Sequence, residues 1–257
     1  MSEHAPALVV GLGEVGGPLL AVLRRAHQAA GRDVEDQDFD DVEILHVCFP
    51  FGANFAELVS KYVTRYEPQV VVVHSTVLPG TTREVQELAG VPAVYSPVRG
   101  KHTRMTGELL RYRKFVAGTS TEAVELVERH LGAAGMSTAR MSSFETLELA
   151  KLLETTYFGV LLAWAQEMDR FTSAVGADYW EAGRFFEEIG FLPPAGFEPG
   201  YIGGHCIMPN IDLLAKLRDS VLLDAVRHSN EERAREWSAA GRSLTERLVP
   251  RSAPGSG

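Results

Sequence analysis

With 257 residues, 45% of them apolar and 23% charged, the chain reads as an ordinary folded protein with material for one sizeable core and two lobes. Its 34 acidic against 25 basic residues leave a formal charge of -9, which argues against a broad nucleic-acid or anionic-membrane surface. The two cysteines form no disulfide framework, no apolar stretch reaches the roughly 20 residues of a spanning helix, and the polar start Met1-Ser2-Glu3-His4 does not read as a signal peptide, so a cytoplasmic protein is expected.

The chain opens with a short apolar run, Ala7 to Val10, that leads into Gly11-Leu12-Gly13-Glu14-Val15-Gly16-Gly17-Pro18 and then into an amphipathic pattern through about Ala29. Strand, glycine turn and helix in that order point to a dinucleotide cradle. Gly11 permits the tight turn, Gly13 lets backbone N–H groups approach a pyrophosphate, and Gly16 lets the helix pack on the strand. The competing reading is a glycine-rich turn that merely packs closely. Gly11, Gly13, Glu14, Val15 and Gly16 are the expected pyrophosphate segment.

Apolar runs at 42–49, 69–74, 91–96 and 114–118 read as buried strands, and the amphipathic stretches 54–66, 81–89 and 121–134 as helices between them. This alternation predicts an α/β fold, a Rossmann-like doubly wound parallel sheet. Ligands of such sheets lie beyond the carboxyl ends of the strands, which nominates Phe49 and Pro50, Ser75 and Thr76, and the run Val98-Arg99-Gly100-Lys101-His102. The usual second strand, ending in an acid about 20 residues on that bonds the adenine ribose, is poorly marked. Asp33 fits its spacing, and Asp36 or Asp38 fits if the first helix is long; Asp38 is the expected residue, with a solvated loop acid as the alternative. Acidic character here favours NAD over NADP.

From Ser142 the texture becomes helical, with Ser143 as N-cap of a helix from Phe144 to about Val175. The expected division is 1–142 for the dinucleotide-binding domain and 143–247 for an all-helical substrate and dimerisation domain. The stretch 248–257 resembles a protease-cleavage site and linker left by expression cloning. Glu148, Lys151 and Thr155 share one helical face. Lys151 is either a salt-bridge partner of Glu148 or an ammonium that stabilises a substrate oxyanion. The run Phe158 to Trp164 is apolar all round, which points to a homodimer through this region. In Tyr201-Ile202-Gly203-Gly204-His205-Cys206-Ile207-Met208-Pro209-Asn210, Cys206 is either a nucleophile behind two glycines or a small buried hydrophobe. His102, His205, Cys206 and Met208 lack metal-type spacing, so no metal is expected.

Taken together, Gly11-Leu12-Gly13-Glu14-Val15-Gly16, Ser75-Thr76-Val77-Leu78-Pro79-Gly80-Thr81, Glu148-Leu149-Ala150-Lys151 and Gly203-Gly204-His205-Cys206 resemble the UDP-glucose/GDP-mannose (nucleotide-sugar) dehydrogenase family, over about residues 7 to 215. The resemblance implies oxidation of a sugar alcohol in two NAD-dependent steps. It assigns Cys206 as nucleophile, Lys151 as oxyanion stabiliser and Thr76 as a residue positioning water or nicotinamide. It also implies substrate contacts from Thr155, Gly203, Gly204, His205 and Asn210.

The departures matter as much. The loop after Ser96-Pro97, which carries glutamates in the family, has no acid through His102; the family's Asn and Asp are Thr155 and Asn210; and the chain reads as a shortened form without the C-terminal nucleotide-sugar-binding domain. Loss of the acid-base carboxylate should cost about 10²–10⁴-fold in the hydrolytic half-reaction. His102 or His205 could substitute, and Arg99, Lys101 and His102 are either an anion clamp or a surface loop whose cations are solvated. The expected function is an NAD-dependent oxidoreductase acting on an alcohol or aldehyde of an anionic small molecule. A non-redox transferase, lyase or epimerase-like enzyme, and a nucleotide-binding regulatory protein, are the alternatives.

Overall fold

Four consecutive valines, Val70–Val73, form β4, buried on both faces at the middle of a sheet, where a β-branched run packs best. The computed structural model describes residues 6–33, 39, 41–186, 189–190, 193 and 197–244, so Asp36, Asp38 and the tail from 248 lie outside the described residues. The chain divides into two compact units, Met1–Lys151 and Leu152–Gly257.

The first unit is a seven-stranded sheet in the order β2-β1-β3-β4-β5-β6-β7. Its strands are β1 (Ala7–Val10), β2 (Ala29–Arg32), β3 (Ile44–Val47), β4, β5 (Ala93–Tyr95), β6 (Lys114–Gly118) and β7 (Thr138–Arg140). Its helices are α1 (Gly16–Leu23), α2 (Phe55–Tyr66), α3 (Thr81–Ala89), α4 (Met105–Arg111) and α5 (Thr121–Ala133), with the first turns of α6 (Phe144–Ala174). Alternate residues of each central strand feed two cores. Val9, Ile44, Val70 and Val72 pack with Leu19, Leu23, Leu109 and Leu131 on one face. Leu8, Val10, Leu45, Val47, Val71 and Val73 pack with Phe55, Val59, Val85, Phe144 and Leu147 on the other. Burial of Phe144 and Leu147 in the second core is why the start of α6 belongs to the sheet unit.

Three features differ from the sequence expectation. First, α1 ends at Leu23 rather than near Ala29, and β2 forms at once from Ala29-Ala30-Gly31-Arg32, paired in parallel with Ala7–Val10. Its weak strand propensity is overridden by that pairing and by Gly31, where a Cβ would sit 2.5 Å from Leu20. Second, the sheet is mostly rather than wholly parallel: β6 is antiparallel to β5, with Tyr95 opposite Ala117. The connection carrying α4 lies against α1, and the chain re-enters the sheet at the carboxyl end of β5, which puts Lys114 there. Third, β7 adds a parallel edge to β6.

The second unit is helical: the rest of α6, α7 (Tyr179–Arg184), α8 (Ile207–Ala215) and α9 (Val221–Ala239). At Gly159 of α6 a Cβ would meet Ile207 at 2.7 Å, so this glycine admits α8 against α6. No helix among the described residues is long and apolar enough to cross a membrane.

Candidate active site

The order of strands reverses between β1 and β3, and the glycine turn leaves β1 at that switch point, where open α/β sheets bind ligands. Gly11 has φ +85, and a Cβ on it would stand 2.7 Å from Phe49 N, just beyond β3. A Cβ on Gly16 would stand 1.8 Å from Gly11 O, so helix and turn touch backbone to backbone. Gly13 differs: a Cβ there meets no protein atom within 4 Å, so packing does not demand a glycine. The N-terminus of α1 has no side-chain cap and no acid in its first turn; Gly17 N donates back to Gly13 O at 3.1 Å and Pro18 has no N–H, so an anion would be met by Gly16 N and the turn before it. These residues fit a dinucleotide pyrophosphate. β2 ends at Arg32, whose carbonyl accepts from Gly11 N at 2.9 Å, so the acid that follows the strand is Asp33; Asp38, the expected ribose partner, is outside the described residues. The Arg32 guanidinium bonds the Tyr66 hydroxyl and lies over the Tyr62 ring.

Beyond β3 and β4 the loops are tied together: Ser75 Oγ donates to Phe49 O at 2.6 Å, and the Phe49 ring packs on Phe55. Pro50 is exposed and Thr76 half-buried beside this link. After β5, Arg99 donates to Arg113 O at 2.7 Å and stacks over Phe115, while Lys101 is exposed and His102 bonds the Glu14 carboxylate in the glycine turn. Arg99 and His102 are thus committed to different partners. An acid that spacing did not reveal reaches this loop from α4. Glu108 is buried, and its Oε2 lies 2.7 Å from where a Gly100 Cβ would be.

Glu148 is wholly buried, and its oxygens accept from Gly80 N at 2.7 Å, Thr82 N at 2.8 Å and Thr82 Oγ1 at 2.6 Å. It therefore caps α3, a role that its helical spacing to Lys151 did not announce. Burial pushes its carboxyl above the usual range, while those three bonds oppose the rise. Lys151 follows one turn later on α6, half-buried.

Within the helical unit, Cys206 is half-buried at the N-cap of α8, preceded by exposed Gly203, Gly204 and His205; Gly204 has φ +78. Asn230 on α9 clasps the segment ahead of it, accepting from Ile202 N at 2.7 Å and donating to Ile202 O at 3.1 Å, and Gln166 on α6 donates to Gly200 O at 2.8 Å. Thr155 and Asn210 are buried on α6 and α8. No group of three His, Cys, Asp or Glu among the described residues is arranged to hold a metal ion.

The model of the UDP-glucose/GDP-mannose dehydrogenase family, central domain, matches residues 145–232, the stretch that carries Lys151 and Cys206. Over that stretch the chain is related to this family. The UDP-N-acetyl-D-mannosamine dehydrogenase of Methanocaldococcus jannaschii is 26% identical over 172 residues, 63% of this chain and 39% of that protein. The UDP-N-acetyl-D-glucosamine 6-dehydrogenase of Pseudomonas aeruginosa is 30% identical over 54% of this chain and 35% of its own length. The matches thus span well under half of these curated relatives. Among solved structures, UDP-D-ManNAc dehydrogenase from Pyrococcus horikoshii superposes with a TM-score of 0.76 at 18% identity over 92% of this chain and 72% of that one. The Mycobacterium tuberculosis 3-hydroxyisobutyrate dehydrogenase superposes with a TM-score of 0.68 at 15% identity, over 91% of this chain and 94% of that one.

The motifs by which the sequence resembles the UDP-glucose/GDP-mannose dehydrogenase family do not include the most unusual buried group. His46 in β3, His74 after β4, His130 in α5 and Lys114 at the head of β6 are all buried, and form one hydrogen-bonded row with Ser96 O. The only signal in the sequence is a histidine set among apolar strand residues, which reads as ordinary core.

Proposed function

We propose that the protein is an NAD-dependent oxidoreductase acting on an alcohol or aldehyde of an anionic, sugar-derived metabolite. The observation that carries this reading is the glycine turn at the β1/β3 switch point. Gly11 and Gly16 are glycine because backbone touches backbone, whereas Gly13 is glycine with open space above it beside uncapped N–H groups. The backbone of 13–16 would hold the pyrophosphate, Asp33 the adenine ribose, and Ser75 with Thr76 the nicotinamide side. Bound NAD supplies the hydride acceptor. Lys151 is assigned to the substrate oxygen and Cys206 to covalent capture of the aldehyde carbon. NAD is favoured over NADP because Asp33 follows β2 and Arg32 is engaged by Tyr66 and Tyr62. Calorimetric titration with both nucleotides checks this; tighter NADP binding would overturn it.

A one-step oxidation of a small hydroxy acid is the second reading. It is favoured by the likeness in fold to the Mycobacterium tuberculosis 3-hydroxyisobutyrate dehydrogenase, which this chain matches over nearly its whole length. Counting NADH formed per substrate separates the two, and Cys206→Ser should abolish only the two-step course. We also propose a homodimer through α6. Leu153, Tyr157, Trp164 and Phe171 stand exposed at spacings of four and seven, one apolar stripe along the helix. Sedimentation of Trp164→Glu should show monomer where the parent shows dimer.

A further inference from the structure

His46 Nδ1 lies 2.9 Å from His74 Nε2, and His46 Nε2 lies 3.1 Å from His130 Nε2. At the other end His74 Nδ1 is 2.6 Å from Ser96 O and 3.1 Å from Lys114 Nζ, which itself donates to Ser96 O at 2.6 Å and Pro97 O at 3.2 Å. His27 stacks on His130 and donates to its carbonyl at 2.7 Å. His130 Nδ1 is buried with no hydrogen-bond partner among the described residues.

A neutral imidazole has one N–H and one bare nitrogen, so the row can be bonded in only two directions. In the first, His74 Nδ1–H donates to Ser96 O, His46 Nδ1–H to His74 Nε2, and His130 Nε2–H to His46 Nε2, leaving His130 Nδ1 bare. Lys114 is then an amine, because an ammonium has no lone pair to turn toward His74 Nδ1–H. In the second, Lys114 Nζ–H donates to His74 Nδ1, His74 Nε2–H to His46 Nδ1, and His46 Nε2–H to His130 Nε2, while His130 Nδ1 carries a proton; His74 Nδ1 then has no hydrogen for Ser96 O, must draw back from it, and leaves that carbonyl to Lys114. The two states differ by one proton. It is taken from a water molecule admitted to His130 Nδ1, to which no described protein group is bonded, each ring hands on the one it held, and Lys114 gains one to become an ammonium.

We propose that Lys114, His74, His46 and His130 form a proton relay through the sheet unit, exchanging one proton between His130 Nδ1 and Lys114 Nζ beneath the Ser96 and Pro97 carbonyls. The electrostatics fit. Burial pushes Lys114 down to about 7, Cys48 acting to raise it and Lys151 and Arg99 to lower it. Burial likewise holds His46 and His74 well below the usual histidine range and His130 down at about 3, so the rings stay neutral while Lys114 changes charge. Glu108, Arg99 and Arg113 line the same small cavity as Lys114 and complete its charged surroundings. An oxidation that passes hydride to a nicotinamide also frees one proton from the alcohol. Use of the relay for that proton rests on the proposed function, but the relay itself does not.

The test is NMR of the whole protein labelled with ¹⁵N at histidine and lysine, titrated across neutral pH. The expected result is that His74, His46 and His130 exchange tautomers in one step at the pH where Lys114 Nζ titrates, with no ring becoming an imidazolium. A ring that keeps one tautomer through that titration, or takes up charge, overturns the relay. Lys114→Met should lock all three rings, and His46→Phe should leave His130 blind to Lys114; if either variant fails to fold, the titration of the unaltered protein decides. Locked rings in a protein that binds NAD sink the relay alone, whereas switching rings in a protein that binds no nucleotide sink only the oxidoreductase reading.

Discussion

The sheet unit encloses ionisable groups, His46, His74, His130 and Lys114, bonded to one another and to backbone carbonyls rather than to a carboxylate, and of these Lys114 is brought to about 7. The helical unit encloses Gln166, Ser229 and Asn230, which do not titrate, and Arg233, whose guanidinium meets Asp169 at 2.9 Å. Both satisfy the rule that a buried polar group needs a partner. They differ in what a change of pH does to them, and the lesson is that one chain can hold a proton-sensitive fold beside a proton-indifferent one.

The strongest way to break that contrast is to change pH. Unfolded Lys114 holds its proton up to 10.5, whereas in the folded sheet unit it gives the proton up above about 7. Between those values the unfolded chain binds more protons, so stability rises with pH and is lost on acidification. From about pH 9.5 to about pH 6.5 the loss should be on the order of 3 kcal/mol, with the depressed histidines adding to it below 6.5. Native-state hydrogen exchange, corrected for intrinsic rates, should show β3, β4 and β6 losing protection over this range while α9 does not. Equal losses in both units would dissolve the distinction.

Next in size is Asn230→Leu. Leucine fills similar volume but leaves Ile202 N and O buried without the side chain that holds both, which should cost about 2 kcal/mol, at the same value across neutral pH. Urea unfolding at two pH values measures it. A pH-dependent cost would mean that the helical unit also hides a titrating group.

Glu148→Gln is smaller. The amide can still accept from Thr82, but its NH2 would face Gly80 N–H, one lost bond worth about 1 kcal/mol. Because burial raises the folded Glu148 carboxyl, the parent gains stability as that carboxyl is protonated on acidification and the amide does not, so the variant's deficit relative to the parent should widen as pH falls.

How much of this was legible follows from what each signal depends on. β1, β3 and β4 announce themselves because strands buried on both faces are unbroken apolar runs, and the glycine turn because close backbone approach leaves no alternative residue. β2 does not, since Ala29-Ala30-Gly31-Arg32 is made a strand by pairing with β1 and not by its own preference. The reversed direction of β6 depends on the path of α4, which no local pattern encodes. Cys206 is visible through its glycines, but the clasp from Gln166 and Asn230 is visible only in three dimensions, and so is the row of rings drawn from β3, β4 and α5. The cap that Glu148 supplies is hidden for the same reason: its helical spacing to Lys151 is plain, while the N-terminus of α3 that it caps is not.

The smallest expected effect on stability is also the sharpest test of the glycine turn. A methyl group at Gly13 meets no protein atom within 4 Å and the position carries no positive φ, so Gly13→Ala should leave unfolding within about 0.5 kcal/mol of the parent. If the turn is a pyrophosphate cradle, the same methyl group stands where the ligand must approach, and NAD affinity should fall at least about tenfold, the loss of one good hydrogen bond. Gly16 cannot make this distinction, because a Cβ 1.8 Å from Gly11 O would disturb fold and binding together. An alanine at 13 that alters neither stability nor nucleotide affinity would mean that the turn is glycine-rich without being a binding loop, and the sheet unit would then be left with its proton-sensitive interior as its one distinctive property.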